Sequence, residues 1–248
     1  MKVLITGASS GIGRDFAREF NKLGYDLILV ARDIEKLQEL KNELNVKTKI
    51  IQMDLSIEDN CKKLYEENPD IDILVNNAGF GACGNFVDID IEKEIKMINT
   101  NITAYHILTK LYLQSMTKKD GGQILNVASI AGFMPGPLMA TYYSTKAYVV
   151  RFSEAIREEL KKQKSKVKIS ILCPGPVNTN FNKVADVEFA TKGLPSEYIA
   201  KYTIKKLLKG KFYIVPGLSI KLLKRFSKIC PTNIMAKLCY KMQKRKII

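Results

Sequence analysis

Short runs of aliphatic and β-branched residues recur along the chain, each bounded by polar residues or glycine. Apolar runs of this length, enriched in valine and isoleucine, predict buried β-strands. The predicted strands are Val3–Thr6, Asp26–Ala31, Thr48–Met53, Ile71–Asn76, Gln123–Ser129, Lys166–Leu172 and Phe212–Val215.

Segments with helical spacing lie between these runs. Apolar residues repeat every four positions at Ile12, Phe16 and Phe20, directly after the first strand. The longer predicted helices cover Ile102–Thr117, Thr141–Gln163 and Ser196–Lys209. Strands that alternate with helices predict a parallel sheet with helices on both faces. We therefore expect a single α/β domain with a doubly wound, three-layer architecture.

Residues 218–248 form an extension after the predicted catalytic domain at 1–217. Apolar positions on one face of two predicted helices are Leu218, Leu222, Phe226 and Ile229, then Ile234, Leu238 and Met242. Cations on the other faces are Lys221, Lys224, Arg225, Lys228, Lys237, Lys241 and Lys244. Such basic amphipathic helices dock on the protein body or a second subunit, lie on an anionic membrane, or attract an anionic substrate such as an acyl thioester.

The positive charge of the chain is concentrated after residue 200, in the last predicted helix of the domain and in this extension. The whole sequence carries 40 basic and 25 acidic residues, for a formal net charge of +15. From residue 201 onward there are 14 lysines and arginines and no acidic residue, so the first 200 residues hold 26 basic and 25 acidic groups. A nearly neutral body is not typical of a nucleic-acid-binding protein.

The five cysteines are scattered without CxxC spacing, and His106 is the single histidine, which excludes a histidine-rich metal site. No apolar run is long enough to span a membrane, and the first residues do not resemble a secretory signal. These features predict a cytoplasmic protein with buried free thiols and no metal.

A glycine-rich turn joins the first predicted strand to the first helix. Its residues are Gly7, Ala8, Ser9, Ser10, Gly11, Ile12 and Gly13. Glycines allow the backbone to approach a pyrophosphate closely, while amides and the helix dipole favour its negative charge. The spacing is Gly-x3-Gly-x-Gly rather than GxGxxG, so the turn alone is weak support for a dinucleotide site.

The end of the second strand bears on the choice of cofactor. An acidic residue there would bind the ribose hydroxyls of NAD, whereas an arginine accommodates a 2′-phosphate. Here Ala31 ends the strand and Arg32 follows it, while Asp33 is placed to cap the next helix. A guanidinium makes two charge-assisted hydrogen bonds to phosphate, so the sequence favours NADP(H).

The third and fourth strands end in further candidate cofactor residues. The Asp54-Leu55 pair closes the third strand, where the carboxylate either reaches the adenine amine or caps the following helix. After Asn76, the fourth strand continues as Asn77-Ala78-Gly79, whose small residues would admit a cofactor ribose.

Tyr142 and Lys146 stand four residues apart on a predicted helix, thirteen positions after Ser129. Side chains at this spacing share one helical face. A cation beside a phenol favours the phenolate, so we expect Lys146 to lower the pKa of Tyr142 from its usual value of about 10. Such a tyrosine can exchange a proton near neutral pH, which predicts an acid/base pair.

Taken in order, these residues resemble the short-chain dehydrogenase/reductase family in its single-domain branch, over about residues 1–215. The matching motifs are Thr6–Gly13, Asn76–Gly79, Asn101, Ser129, Tyr142-x3-Lys146 and Pro174–Thr179. The resemblance implies a Rossmann fold, a nicotinamide cofactor, and a dimer or tetramer formed through the helices at 102–117 and 141–163.

The resemblance also implies roles for individual residues. Tyr142 would protonate the substrate carbonyl, Lys146 would bind the nicotinamide ribose, Ser129 would donate to the developing alkoxide, and Asn101 would hold a water near Lys146. Preorganised donors are needed there because hydride transfer leaves negative charge on oxygen. Cofactor contacts implied beyond the fifth strand are Pro174, Gly175, Val177 and Thr179.

Residues 176–195 are expected to form a mobile lid over the substrate. Its apolar residues are Val177, Phe181, Val184, Val187 and Phe189, which line a pocket or simply pack under the loop. The sequence thus predicts an NADPH-dependent reductase of an apolar ketone, aldehyde or 3-oxoacyl group. The alternatives are a non-catalytic NADP(H) sensor and, against the short length, a nucleotide-sugar epimerase.

Overall fold

The structure is a computed structural model that describes residues 1–179 and 193–244. Its strands are β1 (Lys2–Thr6), β2 (Asp26–Ala31), β3 (Thr48–Gln52), β4 (Ile73–Asn76), β5 (Gln123–Val127), β6 (Lys168–Leu172), β7 (Val177–Asn178), β8 (Leu194–Pro195) and β9 (Tyr213–Ile214). The main sheet is parallel, in the order β3-β2-β1-β4-β5-β6-β9. The chain winds outward from β1 in both directions, which confirms the predicted doubly wound α/β fold.

The central strands are buried on both faces of the sheet. In β1, Val3, Leu4 and Ile5 are fully buried, and Ile5 pairs with Leu29 of β2 and Val75 of β4. A strand covered on both sides requires apolar residues at successive positions rather than at alternate ones. This explains why continuous apolar runs located the strands.

Helices cover both faces of the sheet. They are α1 (Gly11–Lys22), α2 (Ile34–Asn42), α3 (Glu58–Glu67), α4 (Ile91–Ile98), α5 (Ala104–Lys118), α6 (Ala140–Lys162), α7 (Ser196–Leu207), α8 (Leu218–Ile229) and α9 (Thr232–Lys244). One core contains Phe16 and Phe20 of α1, and the other contains Tyr112 of α5 and Val149 of α6. The result is the predicted three-layer arrangement.

Helices α8 and α9 form the predicted helical extension, and the predicted apolar faces do not dock on the body of the same chain, so contact with a second subunit or a membrane stays a prediction. Leu218, Leu222, Phe226 and Ile229 of α8 are 45–80% exposed, and so are Ile234, Leu238 and Met242 of α9 at 42–56%. Helix α9 instead buries Met235, Cys239 and Gln243. The buried side of α9 is the side that fits the surface of the body, where Gln243 bonds to Tyr143, and it is not the most apolar side of the helix.

Candidate active site

The glycine-rich turn packs tightly against the end of β4. Gly7 and Gly11 have φ values of +66° and +53°, which favour glycine. A Cβ on Gly13 would lie 2.3 Å from the Gly7 carbonyl oxygen and 2.5 Å from Asn77 Nδ2. That amide nitrogen donates to the carbonyls of Thr6, at 3.0 Å, and Gly7, at 3.2 Å. Asn77 therefore fixes the shape of the turn.

Thr6 is a site residue that sequence reasoning did not assign a role. Its hydroxyl donates to the Val75 carbonyl and accepts hydrogen bonds from the Asn77 and Ala78 amides, at 2.9 and 3.0 Å. A threonine at the end of a buried strand could have indicated such a role. Its hydrogen-bond partners, however, lie about seventy residues away in the sequence, so no local pattern identified them.

The N-terminus of α1 fits an anionic ligand. Ser10 precedes the helix with extended backbone and makes no side-chain capping bond, and the first turn, which includes Ile12, has no acidic residue. By contrast, Asp33 and Asp90 cap α2 and α4 with their carboxylates. The amides and dipole of α1, beside Ser9 and Ser10, can thus stabilise a pyrophosphate.

The segment after β6 lies against the same turn. A Cβ on Gly11 would meet the Thr179 side chain at 3.0 Å, and the Pro174 carbonyl accepts a 2.9 Å hydrogen bond from the Ile130 amide. Val177 is buried and pairs with Leu194. The structure therefore brings this predicted cofactor segment to the glycine-rich turn.

Tyr142 and Lys146 lie on α6, and Ser129 follows β5. A hydrogen bond joins the side chains of Ser129 and Tyr142, while the Ser129 hydroxyl also accepts from the Ala131 amide at 3.2 Å. The Lys146 ammonium donates to the Val127 carbonyl at 3.0 Å and lies 5.9 Å from the centre of the Tyr142 ring. The geometry brings the predicted acid/base group together.

The expected lowering of the Tyr142 pKa was wrong. Burial raises the pKa of Tyr142 to about 12, and the hydrogen bond with Ser129 acts in the opposite direction. Burial also lowers the pKa of Lys146 to about 8. Removing water penalises the charged form of each group, and this burial is the largest cause of both shifts.

Asn101 lies in a π-helical turn, Asn99–Thr103, which joins α4 to α5. Its side chain accepts from the Phe80 amide and donates to the Phe80 carbonyl and the Thr145 hydroxyl, at 3.1, 2.9 and 3.1 Å. A Cβ on Gly79 would lie 2.9 Å from Asn101 Oδ1 and 3.4 Å from Lys146 Nζ. Gly79 therefore joins the predicted cofactor segment to the predicted catalytic residues.

A buried polar network supports these elements from below. Asn76 Nδ2 donates to Asn126 Oδ1 at 2.9 Å and to the Thr109 hydroxyl at 3.0 Å, and Asn126 Nδ2 donates to the Ser153 hydroxyl at 2.9 Å. The network connects β4 and β5 to α5 and α6. Because such bonds are strong and directional in a buried setting, they hold α6 in register with the strand ends.

Arg32 follows β2 and is exposed, and it forms no ion pair with any residue in the described ranges. Asp33 caps α2 as predicted, accepting from the Lys36 amide at 3.0 Å. Asp54 accepts from the amide and hydroxyl of Ser56 and pairs with Lys96 at 3.0 Å. It does not cap α3, whose N-cap is Ile57 without a side-chain capping bond, so the helix-cap alternative was wrong. The adjacent Leu55 is buried in the core.

The extension completes one side of the site. Ile220 of α8 contacts Gly175, where a Cβ would lie 2.4 Å from its Cδ1. Gln243 of α9 donates to the hydroxyl of Tyr143, the neighbour of Tyr142. The predicted pocket residues Phe181, Val184, Val187 and Phe189, and most of the predicted lid, lie outside the described residues.

Neither metal binding nor membrane crossing is indicated by the described residues. They contain no cluster of three or more histidine, cysteine, aspartate or glutamate side chains placed to hold a metal ion. Within the same ranges, no helix combines the length and apolar character needed to cross a membrane.

Comparison with known proteins assigns the class. The family model described as short chain dehydrogenase matches residues 1–188, so the chain belongs to the short-chain dehydrogenase/reductase family of oxidoreductases. It is 34% identical to human estradiol 17-beta-dehydrogenase 11, over 99% of this chain and 82% of that protein.

Three further similarities are informative. The chain is 36% identical to the rat very-long-chain 3-oxoacyl-CoA reductase, over 64% of this chain and 54% of that protein. Its fold matches a short-chain dehydrogenase from Sphingobium yanoikuyae in complex with NADPH, with a TM-score of 0.81, 29% identity and 88% of each chain covered. A serine dehydrogenase that is 30% identical to this chain, with a TM-score of 0.76, was solved in complex with NADP⁺.

Proposed function

We propose that this protein is an NADPH-dependent reductase of an apolar ketone, aldehyde or 3-oxoacyl group, with Tyr142 as proton donor. The observation that carries the proposal is the convergence at Gly79, whose Cα hydrogen faces both Asn101 and Lys146. Only glycine leaves the space in which a predicted cofactor segment meets a predicted catalytic lysine.

A reduced nicotinamide, when bound, supplies the hydride that adds to the carbonyl carbon. The residues of the chain hold the oxygen and its proton. With its pKa raised to about 12, Tyr142 keeps its proton at neutral pH and is ready to donate. Ser129, hydrogen-bonded to Tyr142, would stabilise the same oxygen, and Lys146 would bind the ribose hydroxyls.

The dinucleotide would lie along the strand ends. Gly7, Gly11 and Gly13 with Ser9, Ser10 and Ile12 would hold the pyrophosphate, Asn77-Ala78-Gly79 a ribose, and Pro174, Gly175, Val177 and Thr179 the nicotinamide. The open N-terminus of α1 supports the first assignment. For Asp54 and Leu55, a contact with adenine stays a prediction.

An apolar substrate is supported by the tyrosine and the buried cysteine near Tyr142. The Tyr143 ring lies edge-on to that of Tyr142, and Cys239 lies near the Tyr143 hydroxyl. The names of the relatives, a 3-oxoacyl-CoA reductase and an estradiol dehydrogenase, fit a carbonyl or alcohol on an extended apolar molecule.

The proposal is tested by a panel of apolar ketones, aldehydes and 3-oxoacyl thioesters, assayed with NADPH and NADH side by side. We expect oxidation of NADPH with at least one class and slower oxidation of NADH. No oxidation of either cofactor over the whole panel would favour the non-catalytic sensor, and a polar sugar as the only substrate would contradict the apolar assignment.

Arg32→Ala should reduce kcat/KM for NADPH by about 10–100-fold and leave that for NADH within about twofold, since a charge-assisted hydrogen bond contributes about 1.5–3 kcal/mol. Steady-state kinetics with each cofactor give the two kcat/KM values. Lys41→Ala, which removes an exposed cation from the other end of α2, is the matched control. Equal losses with NADPH and NADH would remove the proposed role of Arg32.

Assembly and location are further parts of the proposal. His106 of α5 stacks with Phe152 of α6 and bonds to the Tyr148 hydroxyl at 2.8 Å. These contacts join α5 to α6 within one chain, and a dimer or tetramer through the helices at 102–117 and 141–163 stays a prediction from the family resemblance. A cytoplasmic location, no nucleic-acid partner, and the division into a catalytic domain at 1–217 and an extension at 218–248 remain sequence predictions.

A further inference from the structure

Helix α8 carries a row of cations that faces a concave part of the surface. The cavity there has a volume of about 420 Å³, and the cations that line it are Lys206, Lys211, Lys221, Lys224, Arg225 and Lys228. Among the described residues, its lining includes no carboxylate. The charges of these cations repel each other, and Glu154 behind the Tyr213 hydroxyl acts on Lys224 alone among them, so a bound anion would stabilise the arrangement.

One of these cations is held in place by aromatic rings. Lys224 Nζ lies 2.9 Å from the centre of the Tyr213 ring and 4.8 Å from that of Phe133. These contacts fix α8 against the edge strand β9 and against the turn that follows Ser129. The cationic cavity is therefore built from packed elements and not from loosely attached lysines.

The same helix exposes an apolar stripe beside the cations. We define the tail apolar stripe as Leu218, Leu222, Phe226 and Ile229, whose exposures are 72, 55, 45 and 80%. The spacing of three and four residues places them along one side of α8, next to Lys221, Arg225 and Lys228. The body covers a different side, through Ile220 and Lys224.

We propose that α8 docks the protein onto an anionic lipid bilayer, with lipid phosphates in the cationic cavity and the tail apolar stripe inserted among the acyl chains. A helix with cations beside an exposed apolar stripe is suited to the interface of such a bilayer. A soluble anion would leave the stripe exposed to water. A symmetric contact between two copies through α8 would bring two positively charged helices together.

The test is sedimentation of the full chain with vesicles of pure phosphatidylcholine and of equal parts phosphatidylcholine and phosphatidylglycerol. We expect binding to the anionic vesicles only, weakened by added salt. Lys221→Gln/Arg225→Gln/Lys228→Gln should weaken it roughly a hundredfold, because each cation near an anionic surface contributes about 1 kcal/mol. A melting temperature equal to that of the wild type is the control that this variant is folded.

Two further variants distinguish a lipid bilayer from a second copy of the chain as the partner of α8. Lys41→Gln/Lys47→Gln/Lys162→Gln removes the same charge from other exposed positions and should bind as wild type does. Leu222→Gln/Ile229→Gln should weaken vesicle binding roughly tenfold or more. Equal losses in the two charge variants, or full binding by the apolar variant, would overturn the proposal. So would a change of oligomeric state in the apolar variant without a loss of vesicle binding, which would assign the stripe to a second copy.

The last experiment compares the binding of anionic vesicles with that of a soluble anion, coenzyme A. Free coenzyme A should compete weakly with anionic vesicles, because it occupies the cavity without the stripe. If coenzyme A binds in a manner that the triple charge variant abolishes, while vesicle binding is unchanged, the cavity serves a soluble anionic substrate and the bilayer proposal is wrong.

Discussion

Tyr142→Phe should lower kcat for carbonyl reduction by about 10²–10⁴-fold, the usual contribution of a positioned general acid. The substitution removes the hydroxyl that bonds to Ser129 and keeps the ring beside Lys146. We expect NADPH to bind with a Kd within about threefold of that of the wild type, because lost proton transfer does not change ground-state binding. Kinetics with the best panel substrate and a fluorescence titration of NADPH give the two readouts.

Tyr148→Phe is the matched control for this experiment. It removes one hydroxyl from the same helix, where the partner is His106 and not Ser129. Activity should stay within a few-fold of the wild type. A Tyr142→Phe variant that turns over at the wild-type rate would contradict the assignment of Tyr142 as the proton donor.

Gly13→Ala should destabilise the protein by about 1–3 kcal/mol, since its Cβ would meet the Gly7 carbonyl and the Asn77 amide at 2.3 and 2.5 Å. Both neighbours are fixed by the hydrogen bond that joins them, so neither can move away without opening the turn. We therefore expect the melting temperature to fall by about 2–4 °C for each kcal/mol lost in a chain of this size, and NADPH to bind more weakly.

Gly121→Ala is the control for that substitution. A Cβ at Gly121 would have no neighbour within 4 Å, and reducing the freedom of the unfolded chain should leave stability unchanged or slightly raised. If Gly13→Ala melts like Gly121→Ala and binds NADPH equally well, the turn is not the packed cofactor element described above.

The strands and most helices could be predicted because each depends on local patterns. The run Asp26–Ala31 matches β2 in full, and the helix predicted over Thr141–Gln163 is α6 over Ala140–Lys162. A parallel sheet brings all strand ends to one edge, so motifs distant in sequence could be expected to meet there.

Features that depend on tertiary packing could not be predicted. The π-helical turn at Asn99–Thr103 places Asn101 toward Phe80 and Thr145, and no local pattern specified it. The link from Asn126 to Ser153 likewise needs the packed helices. The pKa of Tyr142 was expected to fall because the spacing to Lys146 could be read from the sequence, whereas the burial that raises it could not.

The extension shows the same limit. The two helices of the extension could be predicted from periodicity, but the side that each buries could not. That side is set by two contacts with the body: the Gln243 amide donates to the Tyr143 hydroxyl, and Ile220 packs over Gly175. These two contacts depend on the shape of the body. They leave the more apolar stripe of α8 exposed to solvent.

A crystal structure with bound NADP⁺ tests the central claim most directly, since it needs no knowledge of the substrate. We predict the pyrophosphate at the N-terminus of α1, the ribose hydroxyls within about 3.2 Å of Lys146 Nζ, and the nicotinamide ring beside the Tyr142 hydroxyl. A dinucleotide bound elsewhere, or one whose nicotinamide lies away from Tyr142 and Lys146, would contradict the account.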